Sequence, residues 1–119
     1  TPLVSNAVNE QDQELIDRAT AIIRKYFDDI DFDMNVLASE LGIGRSKLYL
    51  RIKEITGLTP NELTLKIKLE EAMYLLNNQP NLNISEISYQ LGFSSPRYFS
   101  KCFKSFYGVS PQNCRKGVN

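Results

Sequence analysis

The sequence contains two copies of one segment, about fifty residues apart, and this repeat constrains the fold more than any other feature. Segments 33–63 and 83–114 align at an offset of 50, which becomes 51 after one inserted residue. Before the insertion, the aligned pairs are Met34 and Ile84, Leu37 and Ile87, Ala38 and Ser88, Leu41 and Leu91, and Gly42 and Gly92. After it, they are Leu48 and Phe99, Ile52 and Phe103, Lys53 and Lys104, Ile55 and Phe106, Gly57 and Gly108, and Pro60 and Pro111. Such a duplication predicts two similar folding units.

Each copy predicts two helices around a tight turn. Asp33 and Asn83 are residue types that cap helix N-termini, and Glu86 stands three residues after Asn83, as in a capping box. Apolar residues then recur at the i, i+3, i+4 and i+7 spacing of one helical face. Gly42 and Gly92 stand where these short helices should end, because glycine accepts the positive φ of a C-terminal cap. The second helices should end at the later glycines of each copy, Gly57 and Gly108.

Three further helices surround the copies. Apolar residues from Leu15 to Phe27 follow one helical face, after a non-periodic leader at residues 1–10 that we interpret as a linker or tail. Thr59, Pro60 and Glu62 give the signals of a helix start, and a bridging helix is expected over about residues 60–78. Its apolar residues lie on more than one side, as expected of a helix shared by two lobes. Ser110 and Pro111 begin a last short helix in the same way.

The predicted fold is therefore all-α, with about seven helices in one domain over residues 11–119. Two helix-turn-helix subdomains, at about 33–57 and 83–108, are bridged by the long shared helix. No segment has the alternation of a β-strand. In a helix-turn-helix, the second helix enters the major groove of DNA, although duplicated helical hairpins without a DNA function also exist.

Residue types argue against catalysis. The chain has no His, and its two cysteines, Cys102 and Cys114, are too few for a disulfide framework. We find no nucleophile–base pair, phosphate-binding glycine loop or metal-ligand cluster, so we expect no enzyme activity, no cofactor and no metal site. No apolar run approaches the length of a membrane span, and we expect no membrane contact by this segment.

Residues 29–40 nearly fit a calcium-binding loop, with Asp29, Asp31, Asp33 and Glu40 at ligand positions. Met34 stands where such a loop requires glycine for its sharp turn. The repeat also predicts helix from Met34 onward, which removes Glu40 from the loop. We therefore expect a solvated acidic loop in which Asp33 caps a helix.

The charges are unevenly distributed although the net charge is zero. Residues 1–44 carry nine acidic and three basic side chains, whereas residues 45–119 carry eleven basic and five acidic ones. From Leu91 to the end there are five basic residues and no acidic one. Such asymmetry indicates an anion-binding half.

The second helix of the second copy separates an apolar face from a cationic one. Its apolar stripe must be buried and consists of Phe99, Cys102, Phe103 and Phe106. A different face, with the same spacing, carries three cations and one hydroxyl: Arg97, Ser100, Lys101 and Lys104. Because solvated faces usually mix charge signs, a face without a carboxylate favours contact with an anion.

The second helix of the first copy is less polar on its outer face. Its buried stripe is Leu48, Ile52 and Ile55, and its outer face is Ser46, Tyr49, Leu50 and Lys53. Tyr49 and Leu50 are suited to thymine methyls and sugars, or to packing on a neighbouring helix. The flanking cations suit phosphates or guanine edges, and they are Arg45, Lys47 and Arg51.

Together with the repeat and the shared helix, the stretch NISEISYQLGFSSPRYFSKCFKSFYGVSP resembles the AraC/XylS family of bacterial transcription factors. The matching positions are Ile87, Gly92, Phe93, Tyr98, Phe99, Phe103, Lys104, Gly108, Ser110 and Pro111. The resemblance covers about residues 12–116. The stretch LYLRIKEITGLTPNEL further resembles the version at the C-terminus of bacterial hybrid two-component sensors. The family fold has seven helices, with two helix-turn-helix units bridged by a long helix.

The resemblance implies two recognition helices, at about residues 45–55 and 95–106. Family contact positions correspond to Arg45, Ser46, Tyr49 and Leu50 in the first, and to Ser95, Pro96, Arg97, Ser100 and Lys101 in the second. One departure is Gly44, where relatives of the hybrid type often have a serine that caps the helix and can touch a phosphate. That phosphate contact is the feature placed in doubt.

The function expected from the sequence is sequence-specific binding of double-stranded promoter DNA by a cytoplasmic transcription regulator. A bridging helix of about 25 Å is suited to placing the recognition helices in successive major-groove segments. The DNA site should then consist of two non-identical elements, because the two outer faces differ. The alternative is a helical protein–protein interaction module. Dimerisation through the rest of the parent protein and contact with RNA polymerase stay open.

Overall fold

The computed structural model describes residues 9–117, which form seven α-helices and no strand. They are α1 (Glu10–Lys25), α2 (Met34–Leu41), α3 (Arg45–Thr56), α4 (Pro60–Asn78), α5 (Ile84–Gln90), α6 (Pro96–Tyr107) and α7 (Pro111–Lys116). The all-α fold with two helix-turn-helix units and a long shared helix is confirmed. The predicted tail lies outside the described residues at positions 1–8, and Asn9 caps α1 with its side chain. None of the helices in this range is long and apolar enough to cross a membrane.

The helix boundaries follow the capping signals of the sequence. The Asp33 side chain accepts a hydrogen bond from the Val36 N–H at the start of α2. Asn83 and Glu86 form the complete capping box of α5. Gly42 ends α2 in the left-handed conformation at φ 71°, as glycine can without steric cost. The acidic loop before α2 therefore uses Asp33 as a cap, as predicted.

α1 ends two residues earlier than its apolar pattern suggested. Tyr26 is the C-terminal cap of α1, and its ring stacks on Phe32 with centroids 5.2 Å apart. The aromatic pair extends the apolar pattern beyond the helix, which explains why periodicity alone placed residues 26 and 27 inside it.

The chain forms two compact units. The first contains residues 9–26 and Asp31–Ile67, so it holds α1, α2, α3 and the start of α4. Within it α1 packs on α2, and α2 packs on α3. Its core consists of buried aliphatic side chains: Ile16, Ala19, Ile23, Leu37, Ala38, Leu41, Leu48, Ile52, Ile55, Leu63 and Ile67.

The second unit contains Phe27–Ile30 and residues 68–117. Within it α5 packs on α6, and α6 packs on α7. Its core is aromatic along α6, because the rings of Phe93, Phe99, Phe103 and Tyr107 follow one another with centroids 4.7–5.8 Å apart. Phe99 and Phe103 of the second copy thus occupy the positions that Leu48 and Ile52 hold in the first.

Arg115 of α7 ties the end of α4 to the turn that follows it. Its guanidinium donates to the backbone carbonyls of Leu76, Gln79 and Leu82. The Leu76 carbonyl belongs to the last turn of α4, where carbonyls have no partner within the helix, and the Gln79 carbonyl also accepts from the Leu82 N–H. A planar group with five N–H donors can serve three acceptors at once, and lysine has no equivalent geometry.

Gly92 stands where two backbone segments of the second unit approach each other closely. Its φ is 74°, and a Cβ placed on it would lie 2.4 Å from the Phe27 carbonyl oxygen. Lys68 closes the same corner, with its ammonium 5.8 Å from the Phe93 ring centroid. Burial lowers the pKa of Lys68, and the charge of Asp29 opposes that shift. The second glycine of the repeat therefore serves a packing need as well as a turn.

We predict that Gly92→Ala destabilises the domain more than Gly42→Ala, the equivalent change in the first copy. Both substitutions force alanine into the left-handed region, at a cost of about 1 kcal/mol. Among residues 9–117, and apart from residues 41–43 themselves, no atom lies within 4 Å of a Cβ at Gly42, whereas a Cβ at Gly92 collides with backbone. The displaced backbone should add about 1–3 kcal/mol, measured as a loss in the free energy of unfolding by urea. Equal losses for both variants would contradict this packing role.

We also predict that Ser88→Ala stabilises the domain. Ser88 is fully buried, and its hydroxyl has no hydrogen-bond partner within the described part of the chain. Removing a buried hydroxyl without a partner should raise the free energy of unfolding by about 1 kcal/mol, measured with urea. The repeat supplies the control, because Ala38 holds the equivalent position. Ala38→Ser should therefore destabilise, and a loss of stability in Ser88→Ala would refute the prediction.

Candidate nucleic-acid interface

α3 is held by an apolar stripe and leaves its polar residues in solvent. Leu48, Ile52 and Ile55 are buried in the first unit, as predicted. The exposed side chains of the predicted site are Arg45, Ser46, Lys47, Tyr49, Leu50 and Lys53. Tyr49 is 41% and Leu50 60% exposed, so neither side chain belongs to the core of the first unit.

An open groove of about 820 Å3 runs along the N-terminal half of α3. It is lined by Met34 of α2 and Gly44, with Arg45, Ser46, Lys47, Tyr49 and Leu50 of α3. Gly44 is the N-terminal cap of α3 and supplies no side-chain hydrogen bond. The start of α3 is therefore a concave surface that combines two cations, a hydroxyl and apolar side chains.

Arg51 differs from the other cations of α3 because its guanidinium is engaged within the first unit. It donates to the Asp12 carboxylate of α1 and also lies 3.6 Å from Glu54 of α3. Asp12 and Arg51 side chains are only 18% and 34% exposed, so water screens the pair less than a fully exposed one. The predicted DNA contact of Arg51 would have to compete with these two carboxylates.

α6, like α3, buries an apolar stripe and exposes polar side chains, and unlike α3 it has a side-chain cap at its N-terminus. The Ser95 hydroxyl accepts a hydrogen bond from the Tyr98 N–H at 3.0 Å, and Pro96 occupies the first turn. Phe99 and Phe103 are fully buried. Among the other predicted site residues of α6, Arg97, Lys101 and Lys104 are exposed and Ser100 is half-buried.

The predicted buried stripe of α6 is wrong at its C-terminal end. Phe106 is 46% exposed, and its ring meets Tyr107 edge-on with centroids 4.7 Å apart. Tyr107 itself donates to the Leu69 carbonyl at 3.2 Å. The neighbouring tyrosine therefore takes the inward position at this turn, and Phe106 covers it from the solvent side.

Cys102 is half-buried rather than part of a sealed core. A hydrogen bond with Cys102 raises the pKa of the exposed Tyr98 hydroxyl. Tyr98 is 50% exposed, and its ring centroid lies 6.0 Å from that of Phe93.

Two cations whose contacts could not be predicted from the sequence stabilise the second unit. Lys68 is in the packed corner beside Phe93, and Arg115 binds backbone carbonyls. The charge excess of residues 45–119 is therefore only partly available to an anion, and its exposed part includes the cations of α3 and α6.

Comparison with known proteins agrees with this geometry. Residues 37–117 match the family model of a helix-turn-helix domain. The chain belongs to the AraC-type family of helix-turn-helix domains, and it is a DNA-binding domain of transcription regulators. This confirms the family resemblance of the sequence.

Three similar proteins illustrate the family. Histidine kinase P4 of Formosa agariphila is 39% identical over 104 residues, which are 87% of this chain and 8% of that protein. The Msm operon regulatory protein of Streptococcus mutans is 40% identical over 85 residues, 71% of this chain and 30% of its own. The C-terminal domain of AraT, a response regulator from Geobacillus stearothermophilus, has a TM-score of 0.78 at 33% identity, with 87% of this chain and 84% of that one covered. This chain thus spans less than a third of either full-length relative.

We predict that Asp12 and Arg51 are energetically coupled. A double-mutant cycle with Asp12→Asn and Arg51→Met, followed by urea unfolding, should give a coupling of about 1 kcal/mol. The more exposed pair Lys25–Glu40 serves as the control and should give a smaller coupling. Additive effects of Asp12→Asn and Arg51→Met would show that the pair contributes nothing.

Proposed function

We propose that the domain binds double-stranded DNA at a specific sequence by inserting α3 and α6 into successive major-groove segments. The observation that carries this proposal is shared by the two helices. Each buries an apolar stripe in its own unit and turns a second face, with the same i, i+3, i+4 and i+7 spacing, away from it. That face carries Arg97, Ser100, Lys101 and Lys104 on α6, and Ser46, Tyr49, Leu50 and Lys53 on α3. α4 links the two units as one continuous helix of 19 residues, about 28 Å long.

The exposed cations are proposed to divide between bases and phosphates. Arg97 lies in the first turn of α6, the part of a recognition helix that reaches base edges, and its guanidinium suits the O6 and N7 acceptors of guanine. Lys104 lies in the last turn of α6, where a phosphate contact is more consistent with its position. The rest of the proposed α6 surface consists of Ser95, Pro96, Ser100 and Lys101.

The α3 surface is proposed to use Arg45, Ser46, Lys47, Tyr49, Leu50 and Lys53. Arg51 is expected to contribute less to DNA binding than these residues, because its guanidinium already donates to Asp12. Gly44 supplies no side-chain hydrogen bond at the start of α3, so a phosphate bound there would be contacted by backbone N–H groups alone. Because the α3 and α6 surfaces carry different residues, we expect a site of two non-identical elements.

The whole protein is proposed to be a longer transcription regulator in which this domain is the output module. Similarity to a histidine kinase and to a response regulator domain supports a two-component signalling protein of the cytoplasm. The domain itself is proposed to act on promoter DNA by binding and not by catalysis. Dimerisation and contact with RNA polymerase are assigned to the parent protein.

We predict different losses for Arg97→Ala and Lys104→Ala. With a site selected from random duplexes, Arg97→Ala should lose about 1–3 kcal/mol of binding free energy and relax the preference at one base pair. Lys104→Ala should weaken selected and random DNA alike and reduce the salt slope by about one unit. Gel shifts at two salt concentrations measure both effects.

Equal losses of Arg97→Ala on selected and random DNA would refute its base contact. If wild-type binding is absent or independent of salt, the DNA function itself fails, because several phosphate contacts must release counterions. That result would favour the helical protein–protein module.

A further inference from the structure

We propose that α3 recognises the 5-methyl group of thymine through Leu50, and that Lys101, the equivalent residue of α6, makes no such contact. This inference rests on the proposed DNA function and names the chemistry that one half of the site reads. The ligand is a thymine methyl on the floor of the major groove. We therefore expect the DNA element that α3 contacts to contain an A·T base pair.

The exposure and chemistry of Leu50 carry the inference. Leu50 is 60% exposed at the middle of α3, although α3 has a well-buried stripe on its opposite side. A leucine side chain has no hydrogen-bonding atom, so it cannot read the donors and acceptors of base edges. In unmodified DNA, the thymine methyl is the apolar feature that the major groove offers.

The polar and cationic side chains around Leu50 favour contact with DNA over contact with an apolar protein surface. Ser46 and Lys53 lie on the same face, one turn before and one turn after it. Arg45 and Lys47 line the adjoining groove and are exposed. An apolar centre with cations on its borders complements a methyl group between two phosphate strands, whereas a protein core would leave those cations desolvated.

The repeat explains why the contact should be confined to one half. At the offset of 51, Tyr49 corresponds to Ser100 and Leu50 corresponds to Lys101. Lys101 is exposed like Leu50, yet it is a cation that suits a guanine acceptor. The duplicated scaffold thus presents an apolar contact in one unit and a polar contact at the same position of the other.

The decisive experiment removes only the methyl group from DNA. In a site selected by the wild-type domain, each thymine is replaced in turn by deoxyuridine, which keeps base pairing and every hydrogen-bonding atom. Burial of one methyl-sized group corresponds to an affinity change of about three- to fivefold. We expect that loss at one or two thymines in one element, and we expect Leu50→Ala to bind thymine and uracil duplexes equally.

Two variants control for indirect effects. Leu50→Met keeps an apolar side chain and should keep the preference for thymine, while Lys101→Ala should leave the preference unchanged although it weakens binding. Circular dichroism and urea unfolding confirm that each variant is folded before binding is measured.

The outcomes separate this inference from the DNA function. If a specific site is selected but no thymine responds to uracil, the methyl contact is refuted while DNA recognition stands. A uracil effect that persists in folded Leu50→Ala also refutes it, because another group must then read the methyl. Failure to select any sequence would refute the DNA function, and with it the methyl contact.

Discussion

Burial of one stripe on each recognition helix is the interaction on which the rest of the structure depends. Phe99 and Phe103 are completely buried in α6, and Leu48 and Ile52 are completely buried in α3. A fully buried side chain of this size contributes about 1.5–3 kcal/mol through the hydrophobic effect. Since helical geometry fixes the angle between faces, anchoring these stripes also determines which side chains face the solvent. The outer surface of each helix is therefore specified by its core.

Most of the fold could be predicted from the sequence, because helix caps and helix-ending glycines depend on only a few neighbouring residues. The cap at Asp33, the capping box at Asn83 and the left-handed glycine at position 42 each depend on chemistry within one turn. The repeat then supported the assignments within the two copies, since both copies have the same pattern of caps and apolar residues. The errors arose where a pattern continued past its helix. Tyr26 is apolar and in phase with α1, but it caps the helix and stacks on Phe32.

The candidate site could be predicted only in part, because the tertiary structure determines which partner a long charged side chain contacts. Arg51 has the spacing of a DNA contact, and nothing nearby in sequence reveals that Asp12, 39 residues away, binds it. Arg115 has the appearance of a basic tail residue, yet its three acceptors are 33–39 residues earlier in the chain. Charge counts along the sequence therefore overestimate the cationic surface. Phe106 shows the converse, because helical spacing alone could not decide between it and Tyr107 for the inward position.

The two compact units do not correspond to two continuous pieces of chain. Residues 27–30 lie between α1 and α2 in sequence, but they belong to the second unit, where the Phe27 carbonyl is packed against Gly92. The chain thus passes from the first unit to the second, returns, and leaves again within α4. A cut within α4 would take this short segment away from the unit that it completes. Although the sequence contains two consecutive copies of one segment, the second unit is therefore assembled from two separate stretches of the chain.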